Sequence, residues 1–154
     1  MNTLTKLFSM AILSLTFAFA ACTSAEDTQS ATADNASKSL YDRLGGKPAI
    51  TAVVDEFVAN VAADQRINAR FANTDIPDLK RKLVDQICAG TGGPCTYTGK
   101  DMKTKHIDMA ITDADFDALV EDLVKALDKF KVPEQEKSEL LGILGPMRKD
   151  IVTA

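Results

Sequence analysis

Apolar residues recur at steps of three and four along most of residues 39–154, the spacing of helices that bury one face. One such repeat runs over 50–61 and a second over 79–87, and two more cover 116–127 and 140–151. No stretch alternates with the period of two that a half-buried strand requires. The pattern therefore predicts a domain that is entirely α-helical.

Turn and capping residues separate these helices. Gly45 and Gly46 end a short apolar turn before the first long helix, in which we expect Pro48 at the first position. Thr112 and Asp115, three residues apart, predict a capping box at the start of the third long helix. Further boundaries are predicted at Asp75 and Pro77, at the Gly-rich segment 90–94 and at Val132-Pro133, with a bend at Pro146.

The first part of the chain differs in composition from the helical domain. Lys6 precedes an uncharged stretch, 7–21, which is too short to cross a bilayer comfortably but fits the apolar region of an export signal. We predict an export signal over 1–21 and a flexible linker over 22–38, because the second segment consists of small and polar residues that cannot bury a core. The helical domain, 39–154, is therefore expected in the periplasm.

The sequence leaves two cleavage sites open for this signal. Ala18-Phe19-Ala20 has the small-x-small pattern of an ordinary signal-peptidase site. Phe19-Ala20-Ala21-Cys22 resembles a bacterial lipoprotein box, in which Cys22 would become the lipidated first residue, although such a box usually opens with Leu. The two small residues before Cys22 and the polar tether after it favour lipidation. A lipid on Cys22 would be the chain's only attachment to a membrane.

The other two cysteines, Cys88 and Cys95, flank a Gly-rich turn, and their spacing excludes a Cys-x-x-Cys motif. In an oxidising compartment a disulfide is the natural outcome. Closing so short a loop would stabilise the fold by about 2–3 kcal/mol. The alternative is a pair of unpaired buried thiols.

Charge and histidine content limit the functions open to the chain. Lys and Arg total 18 against 22 Asp and Glu, and the net charge of −4 argues against a nucleic-acid partner. His106 is the only histidine, so the chain contains no histidine pair. Its imidazole offers one neutral nitrogen to a metal or a haem iron. A lone histidine is, however, more often a packed or surface residue than a ligand.

Several short motifs follow one another through the domain. They are Ser-Leu-Tyr-Asp-Arg-Leu-Gly-Gly at 39–46, Val-Asp-Glu-Phe-Val at 54–58, Phe71, Gly-Gly-Pro-Cys-Thr-Tyr-Thr-Gly at 92–99, Met-Lys-Thr-Lys-His at 102–106, Ile111-Thr112, Phe116 and the corner from Leu127-Asp128 to Val132-Pro133. In order and spacing this set resembles the group I truncated haemoglobins, here in an exported, lipoprotein-like variant. The resemblance covers essentially the whole domain and implies an all-α, two-over-two helical sandwich around a haem.

The resemblance implies that the domain binds haem b, with Nε2 of His106 as the proximal ligand of the iron. Such a site needs dry, apolar walls, for which ten residues are candidates: Phe57, Val58, Phe71, Leu79, Leu83, Ile87, Met102, Ile111, Phe116 and Val120. Ordinary helix core is the alternative for each of them. Lys82 lies where the family often presents a cation to a haem propionate, and its alternative is a solvated helix face.

The chain departs from the family on the distal side, where members commonly carry Tyr and Gln. Val58 and Leu83 occupy these positions. Bound O₂ becomes partly negative, and a donor in a dry pocket favours it by roughly 1.5–3 kcal/mol. Gln86 is the nearest replacement donor, with an exposed helix residue as the alternative. The departure argues against tight O₂ storage and against NO dioxygenation, whereas NO and CO need little distal polarity.

Reversible binding of a diatomic gas, with O₂ binding or transport as the family default, is therefore the expected function. NO detoxification would be an enzymatic use of the same site, and it would require an external reductase that this chain does not encode. A third interpretation is a haem-free helical interaction module, in which His106 would be incidental.

Overall fold

The computed structural model describes residues 38–154; the predicted export signal and the linker as far as residue 37 lie outside this range. Within it, seven α-helices occur: α1 Leu40–Arg43, α2 Gly46–Ala63, α3 Ile76–Gly90, α4 Met102–His106, α5 Asp113–Lys129, α6 Glu134–Leu144 and α7 Arg148–Ile151. Two 3₁₀ turns, Asn68–Phe71 and Gly145–Met147, complete the regular structure. No strand occurs between residues 38 and 154, which confirms the all-α prediction.

Helix α2 is the centre of the packing. Helices α3 and α5 both lie against it, and the short helix α1 contacts α2 and α6. Six apolar residues of α2 are buried, at the three- and four-residue steps seen in the sequence: Ile50, Val53, Val54, Phe57, Val58 and Val61. They form one core with residues that include Val84 and Ile87 of α3 and Leu123 and Leu127 of α5. Each buried aliphatic side chain of this kind stabilises the fold by about 1.5–3 kcal/mol.

The start of α2 corrects one prediction. The helix begins at Gly46 rather than at Pro48, because Gly45 (φ 91°) and Gly46 (φ 71°) both adopt left-handed backbone conformations and turn the chain directly into the helix. Pro48 still lies in the first turn, where its missing N–H is not needed.

Two other boundaries are as predicted. The hydroxyl of Thr112 accepts from the backbone N–H of Asp115 at 3.1 Å, and the Asp115 carboxylate accepts from the Thr112 N–H at 2.8 Å, which completes the capping box of α5. The last apolar repeat is interrupted by a 3₁₀ turn that contains Pro146, the residue at which the sequence predicts a bend.

A disulfide between Cys88 and Cys95 joins the end of α3 to the loop that leads to α4, as the sequence predicts. The loop is also held by the Tyr41 N–H, which donates to the Thr91 carbonyl at 2.9 Å. Gly93 is required here because a Cβ at that position would lie 2.5 Å from the Tyr41 ring and 2.7 Å from the Cys88 sulfur. The connection between α3 and α4 is therefore fixed at its beginning.

None of the helices found in residues 38–154 combines the length and the apolar character needed to cross a membrane.

Candidate functional site

The only histidine is the last residue of α4, a helix of one turn that begins with a side-chain cap. The Asp101 carboxylate accepts from the backbone N–H of Thr104 at 2.9 Å. This hydrogen bond is the largest of several that hold the pKa of Asp101 below its ordinary value, so the cap is charged at neutral pH. A short helix with a charged N-cap thus sets the direction of the His106 side chain.

The imidazole of His106 is half-buried and oriented by its own helix. Its Nδ1 lies 2.7 Å from the carbonyl oxygen of Met102, one turn earlier. A carbonyl only accepts hydrogen bonds, so Nδ1 must carry the proton and donate it. In the neutral imidazole this leaves Nε2 with a free electron pair, and a second-shell bond of this kind is typical of histidine ligands of metals. The geometry therefore suits Nε2 as an iron ligand.

The predicted wall residues fall into two groups. Phe57, Val58 and Ile87 are buried in the main core, and Phe71 and Leu83 are partly buried against it. The other five lie outside that core: Ile111 and Phe116 are buried, whereas Leu79, Met102 and Val120 are half-buried. Half-buried apolar side chains on several elements are what a domain leaves for an apolar ligand to cover.

Helices α3 and α4 pack on different partners. Helix α3, which carries Leu79 and Leu83, packs on α2, and helix α4, which carries His106, packs on α7. No extensive contact joins α3 to α4 in the part of the chain described. The helix that carries Leu79 and Leu83 is therefore not extensively packed on the helix that carries His106.

On the distal side the structure shows apolar side chains at both positions where the sequence departs from the family. Val58 is 7% exposed, and Leu83 is half-buried against the core. The Gln86 amide donates to the Sδ of Met147 at 3.1 Å, so in this arrangement it is turned toward the turn that follows α6. A thioether is a weak acceptor, and this contact holds the amide only loosely.

Two of the predicted haem-site residues, Lys82 and Phe116, contact charged side chains of the protein itself. Lys82 Nζ lies 2.6 Å from the Asp78 carboxylate one turn earlier, and this pair is largely solvated. The Lys82 hydrogen bond is the largest cause of the lowered pKa of Asp78. The guanidinium of Arg148 lies 5.1 Å from the ring centre of Phe116, over one face of the ring.

Arg70 is a residue of this region that the sequence did not single out. Its guanidinium donates to the carbonyl of Met109 at 2.9 Å and to that of Ala110 at 3.2 Å, in the segment that follows His106. It also pairs with the Asp115 carboxylate at 2.6 Å. Backbone acceptors carry no sequence signature, so only its position beside Phe71 could have drawn attention to Arg70.

The single imidazole of His106 suits an iron whose other ligands are supplied mainly by a prosthetic group. Residues 38–154 contain no group of three or more His, Cys, Asp or Glu side chains that could hold a bare metal ion. A single imidazole can complete the coordination of an iron that a porphyrin already binds through four nitrogens. One available Nε2 and an incompletely covered apolar surface together fit a haem.

Comparison with known proteins agrees with this geometry. Residues 39–153 match the family described as bacterial-like globin. A group 1 truncated haemoglobin of Mycolicibacterium paratuberculosis is 38% identical over 115 residues, which are 75% of this chain and 85% of that protein. The chain belongs to the group 1 truncated haemoglobins. Another member, from Tetrahymena pyriformis, is 32% identical over 77% of this chain and 98% of its own length.

Solved structures show the same fold. The Fe(III) form of the Tetrahymena pyriformis truncated haemoglobin superposes with a TM-score of 0.72, covering 75% of this chain and 98% of that protein. The 2/2 haemoglobin of Synechococcus sp. PCC 7002, in the cyanomet state with covalently attached haem, also gives a TM-score of 0.72 at 33% identity, covering 76% of this chain and all of that one. The domain is a 2/2 globin whose cofactor is haem with iron, and it binds diatomic gases there.

Proposed function

We propose that this truncated haemoglobin binds O₂ reversibly and exchanges it quickly, as a carrier rather than a store. The observation that carries the proposal is the hydrogen bond from His106 Nδ1 to the Met102 carbonyl at 2.7 Å, which leaves Nε2 free to hold the iron. When bound, haem supplies the iron at which a diatomic gas can bind and leave.

The side chains divide the work between two faces. His106 is held in one orientation and one tautomer by α4. On the opposite face Val58 and Leu83 exclude water, which protects a reduced iron from oxidation, but they offer no hydrogen bond to a ligand. A pocket without a donor gives bound O₂ no hydrogen bond and therefore favours its rapid release, whereas NO and CO need little distal polarity. Transport fits such a pocket better than storage.

A different use of the same site would be NO detoxification with electrons from an external reductase. NO dioxygenation consumes bound O₂, and a distal hydrogen-bond donor helps to retain that O₂. Val58 and Leu83 provide no such donor, so the chain is less suited to this reaction.

One purified, haem-loaded sample tests these assignments in sequence. We expect an absorption spectrum with a Soret band, and then fast O₂ release by stopped flow, with NO consumption in the presence of a reductant no faster than for free haem. A sample without a Soret band would contradict the haem assignment. Sustained NO consumption at a constant rate would contradict the transport proposal and support NO detoxification.

We also propose that the domain is exported to the periplasm and held at a membrane by a lipid on Cys22. The uncharged segment 7–21 and the polar tether support export, and a Cys88–Cys95 bridge is the kind of bond an oxidising compartment permits. Detergent phase partition of the native chain against Cys22→Ala tests the lipid. Loss of the detergent-phase protein in the variant is the expected result, and equal partition would exclude the anchor.

A further inference from the structure

The segment that follows His106, residues 107–112, is exposed except at Ile111, which is buried. Ile107 is 56% exposed and Met109 is 38% exposed. Ala110 adopts a left-handed backbone (φ 47°), a conformation that residues with a side chain rarely take without support. Because this segment continues directly from α4, any freedom in it would pass to the histidine.

Arg70 supplies the support from the other side of the domain. Its Nη1 donates to the Met109 carbonyl and its Nη2 to the Ala110 carbonyl, at 2.9 and 3.2 Å. Nη2 also meets the Asp115 carboxylate at 2.6 Å. The planar guanidinium is the one cation whose donors are fixed in a fork that reaches several acceptors at once.

The contact of Arg70 with Met109 is connected to His106 through a single backbone hydrogen bond. The backbone N–H of Met109 donates to the carbonyl of His106 at 3.0 Å, so the residue whose carbonyl Arg70 binds is itself hydrogen-bonded to the histidine. Arg70 is also the immediate neighbour of Phe71 in the 3₁₀ turn Asn68–Phe71. The Arg70 side chain therefore links two parts of the predicted haem site. One is the 3₁₀ turn that contains Phe71, and the other is the segment that follows His106.

A second tether acts on the far end of the segment. The N–H groups of Thr153 and Ala154 donate to the Ile111 carbonyl at 2.9 and 3.1 Å, and the Thr153 hydroxyl accepts from the Ile111 N–H at 3.2 Å. The Thr153 hydroxyl also donates to the His106 carbonyl at 3.4 Å, so this tether reaches His106 and Ile111. The carbonyls of Met109 and Ala110, between these two residues, are bound by Arg70.

We propose that Arg70 is a positioning residue that fixes the segment 107–112 and thereby holds His106 against the haem iron. The inference rests on the proposed role of His106 as the iron ligand. It adds that haem retention depends on a side chain of the 3₁₀ turn before α3, an element separate from α4. Arg70 does this by binding backbone carbonyls, so neither its charge alone nor its bulk replaces it.

Arg70→Met tests the proposal, since it keeps the length of the side chain and removes every donor. The matched control is Arg66→Met: Arg66 lies four residues earlier and pairs with Asp64 and Glu121 at 2.7 and 2.8 Å, with no bond to 107–112. Haem transfer to excess apomyoglobin is followed in the holoprotein. Amide hydrogen exchange over 107–112 is measured in the haem-free chain.

We expect Arg70→Met to lose haem roughly tenfold faster or more, the size of a lost charge-assisted hydrogen bond, and to exchange its Met109–Ile111 amides faster. The iron–histidine stretching band of the reduced protein should shift in the same variant. Arg66→Met should change none of the three. Arg70→Lys should show rates of haem loss and amide exchange between those of the unmodified protein and Arg70→Met, because an ammonium cannot reach both carbonyls and the carboxylate at once. If Arg70→Met does not fold, Arg70→Lys is used for the test.

Faster exchange in Arg70→Met with unchanged haem loss would overturn the proposal, and so would equal haem loss in the Arg66 and Arg70 variants. Failure of the proposed function looks different: the unmodified protein would then show no iron–histidine band at all, whatever the exchange rates of the apoprotein.

Discussion

At the scale of single residues, the proposed gas selectivity rests on Val58 and Leu83, the two apolar side chains predicted for the distal side of the haem. Neither side chain contains a polar atom, so neither can donate a hydrogen bond to a bound ligand. Gln86 is the nearest amide on the same helix face, and its bond to the Met147 thioether is weak enough to be exchanged. Substitutions at these positions separate the contribution of a hydrogen bond from that of pocket size.

Val58→Tyr should slow O₂ release roughly tenfold or more, because one buried hydrogen bond of about 1.4 kcal/mol would now hold the ligand. CO release should change much less, since CO gains little charge on binding. Stopped-flow ligand replacement measures both rates. Val58→Phe is the matched control, because it adds nearly the same volume at a buried position without the hydroxyl. If the two variants slow O₂ release equally, pocket size rather than a hydrogen bond is responsible.

Gln86→Leu should leave O₂ release within about twofold of the unmodified rate, well below the tenfold of a lost hydrogen bond. The reason is that the Gln86 amide is bonded to Met147 rather than directed at the ligand. The same stopped-flow measurement applies. Slow O₂ release in the unmodified protein that becomes fast in Gln86→Leu would show that the amide reaches the ligand. Slow release in both would show that Val58 and Leu83 do not form the distal face.

At the scale of elements, the connection from α3 to α4 could be largely predicted from sequence. The spacing of Cys88 and Cys95 around glycines indicated a closed turn, and the bridge is present. Helix α4 itself was not predicted as an element, because five residues are too few for an apolar period to be recognised. Its N-cap, Asp101, is the signal that was available.

The bridge yields a prediction for protein matured outside the cytoplasm. Non-reducing mass spectrometry should find Cys88 and Cys95 linked, because their Cα atoms are 5.7 Å apart, within the range of ordinary disulfides. Replacing both by Ala should lower the free energy of unfolding by about 2–3 kcal/mol. Cys22→Ala should leave the bridge intact and serves as the control. Two alkylatable thiols at 88 and 95 in exported protein would contradict the prediction.

The start of α5 gives a pH-dependent prediction. Hydrogen bonds from the Thr112 hydroxyl and backbone, followed by Arg70, lower the pKa of Asp115 below its ordinary value of 3.8. A lowered carboxyl pKa contributes stability that is fully present above the ordinary value and is lost as pH falls through the folded value. Asp115→Asn should therefore destabilise the haem-free protein at pH 7 and much less at pH 2.

Urea unfolding at the two pH values measures this difference. Asp108→Asn, which removes an exposed aspartate from the adjacent segment, is the control for the change in net charge. An equal loss of stability for Asp115→Asn at both pH values would show that its carboxylate does not stabilise the start of α5.

At the scale of the whole molecule, the domain has two apolar regions. Periodicity predicted the core around α2 well, because buried residues of a helix recur at the steps the sequence displays. It could not separate the core from the half-buried residues Leu79, Met102 and Val120, because their helices show the same apolar pattern. The resemblance to truncated haemoglobins did not divide them either, because its ten predicted wall residues include Phe57, Val58 and Ile87 of the main core. Arg70 was missed because its partners are carbonyls distant in sequence.

The most direct test of the account is the haem content of His106→Ala. No other histidine exists in the chain, and Met102 or Met109 would be a poorer ligand on a more flexible side chain. Lys105→Ala, a change at the exposed neighbour, is the control and should keep its haem. With folding confirmed by far-UV circular dichroism, the account predicts that His106→Ala retains no stable Soret band. A full, undisturbed Soret band in His106→Ala would contradict it.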